Sequence, residues 1–274
     1  MTDEATNESR RVWDALAPGY EKHRAYMNEL ERPVNERMMN GVAARDGDTI
    51  LELTAGPGGL GLVLAQLRPE VRVLVTDFAP HMVEAAANAA KAWGLGNVQC
   101  RLIDAQAIDL PDSSVDGVLS RYGLMLVPDI ARAFSEIRRV LKPGRTLTYV
   151  VWGPLEANPW MMLFGATLMQ RGHFTPAAGG FFPLTTEDEN RATVSAAGFD
   201  EIQVETVDTP FVHESFERYW SLSSEISGPL AEIVQSLPNE ERNAVRDQLE
   251  EYTAPFKTDV GLRFPVGRIL VRAS

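Results

Sequence analysis

The sequence predicts a doubly wound α/β fold: a mostly parallel seven-stranded sheet with a helical cap. Three observations carry that reading. From residue 49 onward, short apolar runs alternate with helix-period segments, which places helices on both faces of a parallel sheet. A glycine-rich bend, Thr54-Ala55-Gly56-Pro57-Gly58-Gly59, joins the first run to the first of those helices. Helix-spaced apolar residues also precede the first strand and recur through much of the chain after Trp152.

Each element has its own signal. Residues 1–10 are polar and are expected to be disordered. Residues 11–40 read as helical, because Val12, Leu16, Tyr20, Leu30, Val34 and Met38 recur at helical spacing, with Pro18-Gly19 breaking the run. Strands are expected at 49–53, 71–76, 98–102, 115–120 and 147–152, with helices at 60–67, 80–93 and 129–141. Lys142-Pro143-Gly144 stops the last of these helices. Beyond Trp152 the rhythm loosens. A Met-rich helix is expected at 158–171, a Gly/Pro/aromatic loop at 172–184, a helix at 187–197 and an alternating strand at 199–207. Residues 216–251 read as mostly helical, interrupted at Gly228-Pro229 and Pro238, and 264–272 as a final strand, expected antiparallel.

Composition narrows the function classes. The chain has 274 residues, with 26 Lys+Arg against 38 Asp+Glu and a net charge of -12. At 45% apolar and 23% charged it is ordinary globular material, not a disordered chain or a disulfide scaffold. The acidic balance argues against broad binding to nucleic acid or to anionic membrane. A single cysteine, Cys100, excludes an internal disulfide, and the four histidines offer no ligand pair at useful spacing, so no metal is expected. No apolar run approaches the ~18 residues a membrane span needs. The polar MTDEATNESRR stretch has no apolar leader segment. The expected setting is cytoplasmic.

The first strand-turn-helix unit carries the strongest chemistry. Its glycines let backbone pass close to a ligand and leave N–H groups at a helix N-terminus. Gly56, Gly58 and Gly61 also match the dinucleotide fingerprint, with Asp77 at the end of the second strand. A carboxylate at 77 can accept both hydroxyls of a ribose, or cap the helix ahead of Pro80. Asp104, after the third strand, could accept the exocyclic amine of adenine, or stand as a solvated loop acid.

Four stretches, ILELTAGPGGLG, VLVTDFAPHMVEAA, LIDAQAIDLPDSSVDGVLSRYGLMLVPD and EIRRVLKPGRTLTYVVW, resemble the class I S-adenosylmethionine-dependent methyltransferases, in the small-molecule branch that includes ubiquinone and menaquinone biosynthesis. The N-terminal VWDALAPGYEKH resembles the helix preceding the core in that branch; the region after Trp152 resembles it only loosely. The resemblance implies a Rossmann-like methyltransferase fold divided into cap helices (1–40), an S-adenosylmethionine-binding core (41–153) and a remainder with core strands and substrate-cap insertions (154–274). It implies that Glu52 reaches the methionine ammonium and that Thr54, Ala55, Gly56 and Gly58 form the loop beneath the methionine tail. Asp77 would hold the ribose, Phe78 and Met82 would flank adenine, and Asp104 and Ala105 would meet its edge. The Ser120 carbonyl would face the ammonium, and Tyr20 would close over the cofactor. The family usually has glycine where this chain has Thr54; the expectation is that Thr54 keeps an ordinary β conformation and turns its hydroxyl to the cofactor.

Substrate choice must lie in the C-terminal half. Arg121, Tyr122, Trp160, Phe174, Phe181, Phe182 and Tyr219 are the candidate substrate contacts, and they suggest a hydrophobic or aromatic small molecule. A base is needed only for a hydroxyl or acidic-carbon nucleophile, and His23, His173 and His213 are the candidates. A homodimer is compatible with all of this. Two rivals stand beside the methyltransferase reading. One is a nicotinamide-dependent oxidoreductase, although no Tyr-x-x-x-Lys pair is present and Pro57 splits the fingerprint. The other is a protein of the same fold that binds the cofactor but promotes cyclisation or rearrangement, or only binds.

Overall fold

The computed structural model describes residues 2–176 and 182–274. Helices α1 (Thr2–Leu30) and α2 (Arg32–Val42) lead into the alternating core. There β1 (Thr49–Glu52), α3 (Gly59–Leu67), β2 (Arg72–Asp77), α4 (Pro80–Ala92) and β3 (Val98–Leu102) are followed by β4 (Val115–Arg121), α5 (Ile130–Val140) and β5 (Leu141–Trp152). Next come α6 (Pro159–Gln170), α7 (Glu187–Ala196), β6 (Ile202–Asp208) and β7 (Phe211–His213). Helices α8 (Phe216–Ile226), α9 (Pro229–Ser236) and α10 (Asn239–Tyr252) precede β8 (Lys257–Thr258), β9 (Gly261–Phe264) and β10 (Gly267–Ala273).

The main sheet has the order β3-β2-β1-β4-β5-β10-β6. Strands β1 to β5 pair in parallel, and β10 runs antiparallel to both β5 and β6. The doubly wound, mostly parallel seven-stranded sheet is therefore present, with the antiparallel last strand. Because β1 lies between β2 and β4, the winding reverses there, and the loops beyond β1 and β4 diverge to leave a crevice. Alternate strand residues fill two apolar layers. Leu51, Val118 and Val151 join Phe134, Ile137 and Val194 on one face, while Ile50, Val75 and Val150 join Met38, Leu60 and Ala86 on the other. The cap has a core of its own, where Phe164, Phe216, Tyr219, Val234, Leu249 and Phe264 meet.

Several elements depart from expectation. Residues 2–10 belong to α1 rather than to a disordered tail. Arg10 Nε donates to the Phe78 carbonyl at 3.1 Å, and Arg11 pairs with Glu232 at 2.7 Å. Polar contacts tie this segment down, so its lack of apolar residues was no sign of disorder. Pro18 sits inside α1 without ending it. The neighbouring Gly19 serves a close helix contact, since a methyl there would lie 2.6 Å from the Glu225 carbonyl oxygen. The final run is two strands split at Pro265, and β9 belongs to a small second sheet, β7-β9-β8, that periodicity did not reveal. Strand β5 starts at Leu141, with Gly144 at φ 70° accommodating the irregular pairing before Thr146. Among the described residues, no helix is long and apolar enough to cross a membrane.

Candidate active site

A cavity of about 520 Å³ lies beyond the C-terminal ends of β1 to β4 and runs beneath the cap. Its first arm is polar. Glu52 ends β1 and is fully buried, and one of its oxygens accepts the Gly61 N–H at 2.8 Å. Burial raises its pKa to about 7, against the pull of nearby Arg121. Gly61 must lack a side chain, because a methyl there would collide with the Glu52 carboxylate. Asp77 ends β2, accepts the Gly56 N–H on one oxygen and the Ala79 N–H on the other, both at 2.9 Å, and still lines the cavity. Desolvation lifts its pKa to about 6, even though those backbone donors oppose the shift. Asp104 and Ala105 lie on the same wall, and the Asp104 carboxylate accepts the Gln106 N–H at 2.8 Å. Phe78 and Met82 form an apolar slot between these acids. Tyr20 reaches over from α1, with its hydroxyl on the Ile226 carbonyl at 2.8 Å.

Thr54 contradicts its expected conformation. It sits at φ 53°, in the left-handed region that a β-branched residue enters at a cost of about 1–2 kcal/mol. Its hydroxyl meets the Leu53 carbonyl and, at 2.7 Å, Ser120 Oγ. Gly123 makes this arrangement possible, for a methyl there would run into Thr54 Cβ and Oγ1. Ser120 is fully buried and is not part of the cavity wall. Gly58 is not on the wall either: at φ 82° it forms the bend, and Ala55, Gly56, Pro57 and Gly59 line the space instead.

The second arm is aromatic. Tyr122, Trp160, Phe174, Phe182 and Tyr219 line it; Phe181 lies outside the described residues. Sequence reasoning missed Trp152 and Phe211. Tyr122 stacks on Trp152 at 3.6 Å between centroids, and Trp160 meets Phe211 edge-on at 5.5 Å. It also missed Arg268, which is fully buried in β10 and donates to Tyr122 Oη at 2.7 Å. The Tyr122 hydroxyl in turn donates to Glu31 at 2.9 Å. These partners are far apart in the chain, so no local spacing could signal them.

The candidate bases separate. His23 is buried against Glu225 at 3.2 Å, and His173 pairs with Glu241 at 2.7 Å; neither lines the cavity. His213 does line it, and burial depresses its pKa to about 4, so it is neutral at physiological pH. Arg121, expected from sequence as a substrate contact, lines the cavity at its polar end beside Gly59 and Glu52, held by Asn35 at 2.8 Å.

The polar arm suits an amino-acid nucleoside. Glu52 and Arg121 offer opposite charges at one end, Asp77 offers acceptors in the middle, and Asp104 stands beyond an apolar slot. The raised pKa values of Glu52 and Asp77 mark desolvated carboxylates whose charge a cationic, hydroxyl-bearing ligand would stabilise. A dinucleotide fits poorly, because the Glu52 carboxylate already occupies the N-terminus of α3, where a pyrophosphate would bind.

Comparisons with known proteins agree. The family described as a methyltransferase domain matches residues 50–144. Over that stretch the chain is similar to a methyltransferase domain. The chain is 34% identical over 143 residues to a 2-phytyl-1,4-naphtoquinone methyltransferase of Trichormus variabilis, covering 51% of this chain and 62% of that protein. It is 26% identical over 184 residues to the demethylmenaquinone methyltransferase of Listeria welshimeri, covering 66% and 77%. The first match thus spans less than two thirds of the relative's length. Among solved structures, the YcgJ protein of Bacillus subtilis shares the fold with a TM-score of 0.59 at 19% identity, over 87% of this chain and 96% of that one.

Proposed function

We propose that this protein transfers a methyl group from S-adenosylmethionine to a small, apolar, aromatic acceptor of the quinone or quinol type. The observation that carries this reading is the continuity of the cavity: the charged arm around Glu52 and Asp77 opens directly onto the aromatic arm around Trp152, Trp160 and Phe211. The relatives that act on naphthoquinone rings support the choice of acceptor.

When bound, the cofactor supplies an electrophilic methyl on a sulfonium whose leaving thioether is neutral. The protein's residues therefore serve alignment above all, an effect that reaches roughly 7–11 kcal/mol at best. Glu52 and Arg121 would hold the ammonium and carboxylate of the methionine portion, Asp77 the ribose hydroxyls, and Asp104 and Ala105 the adenine edge. Tyr20 and Trp13, from α1, would exclude water from above. Tyr122 and Trp152 offer a flat wall to an acceptor ring, fixed from behind by Arg268.

The test is incubation with S-adenosylmethionine and a panel of chemically reduced naphthoquinones, read by mass spectrometry. A product heavier by one methylene, with stoichiometric S-adenosylhomocysteine, is expected. Cofactor binding in calorimetry with no methylated product from any ring acceptor would sink the proposed substrate class.

A further inference from the structure

We propose that Tyr26 locks His213 in the tautomer that carries its proton on Nε2, so that the aromatic arm presents a neutral hydrogen-bond donor that selects acceptors bearing a carbonyl or phenolate oxygen. This rests on the methyl-transfer reading for its biological use, but its chemistry is independent of it.

The His213 ring lines the cavity and is 1% exposed. Its Nδ1 lies 2.9 Å from the Tyr26 hydroxyl. Its Nε2 is buried with no partner among the described residues. The surrounding rings of Phe211, Tyr219 and Phe264 offer it no hydrogen bond; their centroids lie 6.0, 5.4 and 6.0 Å from that of His213. An unmatched polar atom in an otherwise apolar wall is costly unless a ligand meets it.

One proton is shared across the Tyr26–His213 contact, and its position decides what Nε2 can do. The Arg218 guanidinium lies 3.9 Å from the centroid of the Tyr26 ring. Burial holds the Tyr26 phenol in its protonated form. The cation over the ring draws electron density from it and only partly offsets that effect, so the hydroxyl has a proton to donate. Tyr26 therefore donates, Nδ1 accepts, and neutral His213 must hold its own proton on Nε2. A histidine in that state cannot take a proton from the acceptor at Nε2. It can hold a carbonyl oxygen, or stabilise a phenolate while the ring carbon or oxygen is methylated. Tyr26 is then a positioning residue that acts through His213.

Two measurements on this chain decide the matter. A long-range ¹H–¹⁵N correlation spectrum reads which ring nitrogen carries the proton, with His213 assigned by the loss of its signals in His213→Phe. A protonated Nε2 and a bare Nδ1 are expected, and Tyr26→Phe should mix the two forms. A bare Nε2 in the wild type overturns the proposal.

The second measurement is tryptophan fluorescence titration with 1-tetralone, tetralin and 1-naphthol, which share a bicyclic shape. The ketone should bind about tenfold tighter than the hydrocarbon. His213→Gln, which keeps a donor, should preserve that preference, and His213→Phe should abolish it. Equal binding of ketone and hydrocarbon, or a preference for the naphthol over the ketone, makes Nε2 an acceptor or a bystander and overturns the proposal. Calorimetry of the wild type with S-adenosylhomocysteine tests the methyl-transfer reading separately, and a negative result there leaves the tautomer result standing.

Discussion

At the cofactor arm, Glu52, Asp77 and Asp104 come from consecutive strand ends, and their partners are backbone N–H groups a few residues away in sequence or one strand over. At the acceptor arm, Trp152, Trp160 and Phe211 present ring faces, and the buried cation Arg268 is already engaged by Tyr122 and Glu31 from distant parts of the chain. The first arm keeps charge available for a ligand and carries a stability cost for doing so. The second neutralises its charge internally and leaves shape, together with the unpartnered Nε2 of His213, to discriminate.

Five substitutions probe this contrast. Gly123→Ala should destabilise the protein by about 3 kcal/mol in chemical denaturation, because the added methyl meets Thr54 with no room to relax. Thr54→Gly in the same chain should restore most of that loss, and an additive double mutant would show that the two sites do not interlock.

Glu52→Gln tests the cost of keeping charge available. Its folded pKa is raised to about 7 from an ordinary 4.5, so the stability it contributes is full below pH 4.5 and is lost as pH rises through 7. Gln has no such slope. The variant should match the wild type below pH 4.5 and exceed it by about 3 kcal/mol above pH 7, while binding S-adenosylhomocysteine more weakly. Equal thermal stability of the two proteins at pH 8 would remove the idea that function is bought there with stability.

Asp77→Ala should weaken S-adenosylhomocysteine by about 100-fold in calorimetry, the worth of roughly two hydrogen bonds to a charged group. Its effect on 1-tetralone should stay within about twofold if the arms are independent, a change too small to count as coupling. Arg121→Gln should give the smallest change, about tenfold on the cofactor product and little on the ketone. The opposite pattern would return Arg121 to the acceptor arm, where its sequence position first suggested it.

The same contrast explains what could be read in the sequence. The sheet was legible because its central strands are short apolar runs bounded by turns, and the acids at 52, 77 and 104 sit at predictable strand ends. The strain at Thr54 was not legible, because it depends on a missing side chain at Gly123. The separation of the three histidines was not legible either. His23, His173 and His213 look alike in sequence, and only packing shows that Glu225 and Glu241 engage two of them while the third faces the cavity. The β7-β9-β8 sheet escaped notice because its strands are shorter than any periodicity can register.

Arg268 meets Glu31 across 237 positions of sequence, and Tyr26 meets His213 across 187. Bringing such remote segments together exacts a large loop-closure entropy before any contact rewards it. The binding crevice for the nucleoside can form once the polypeptide up to Arg121 has condensed, whereas the ring-lined chamber waits for β10 to slot between β5 and β6. During refolding, affinity for S-adenosylhomocysteine should thus return before any discrimination between ketone and hydrocarbon does.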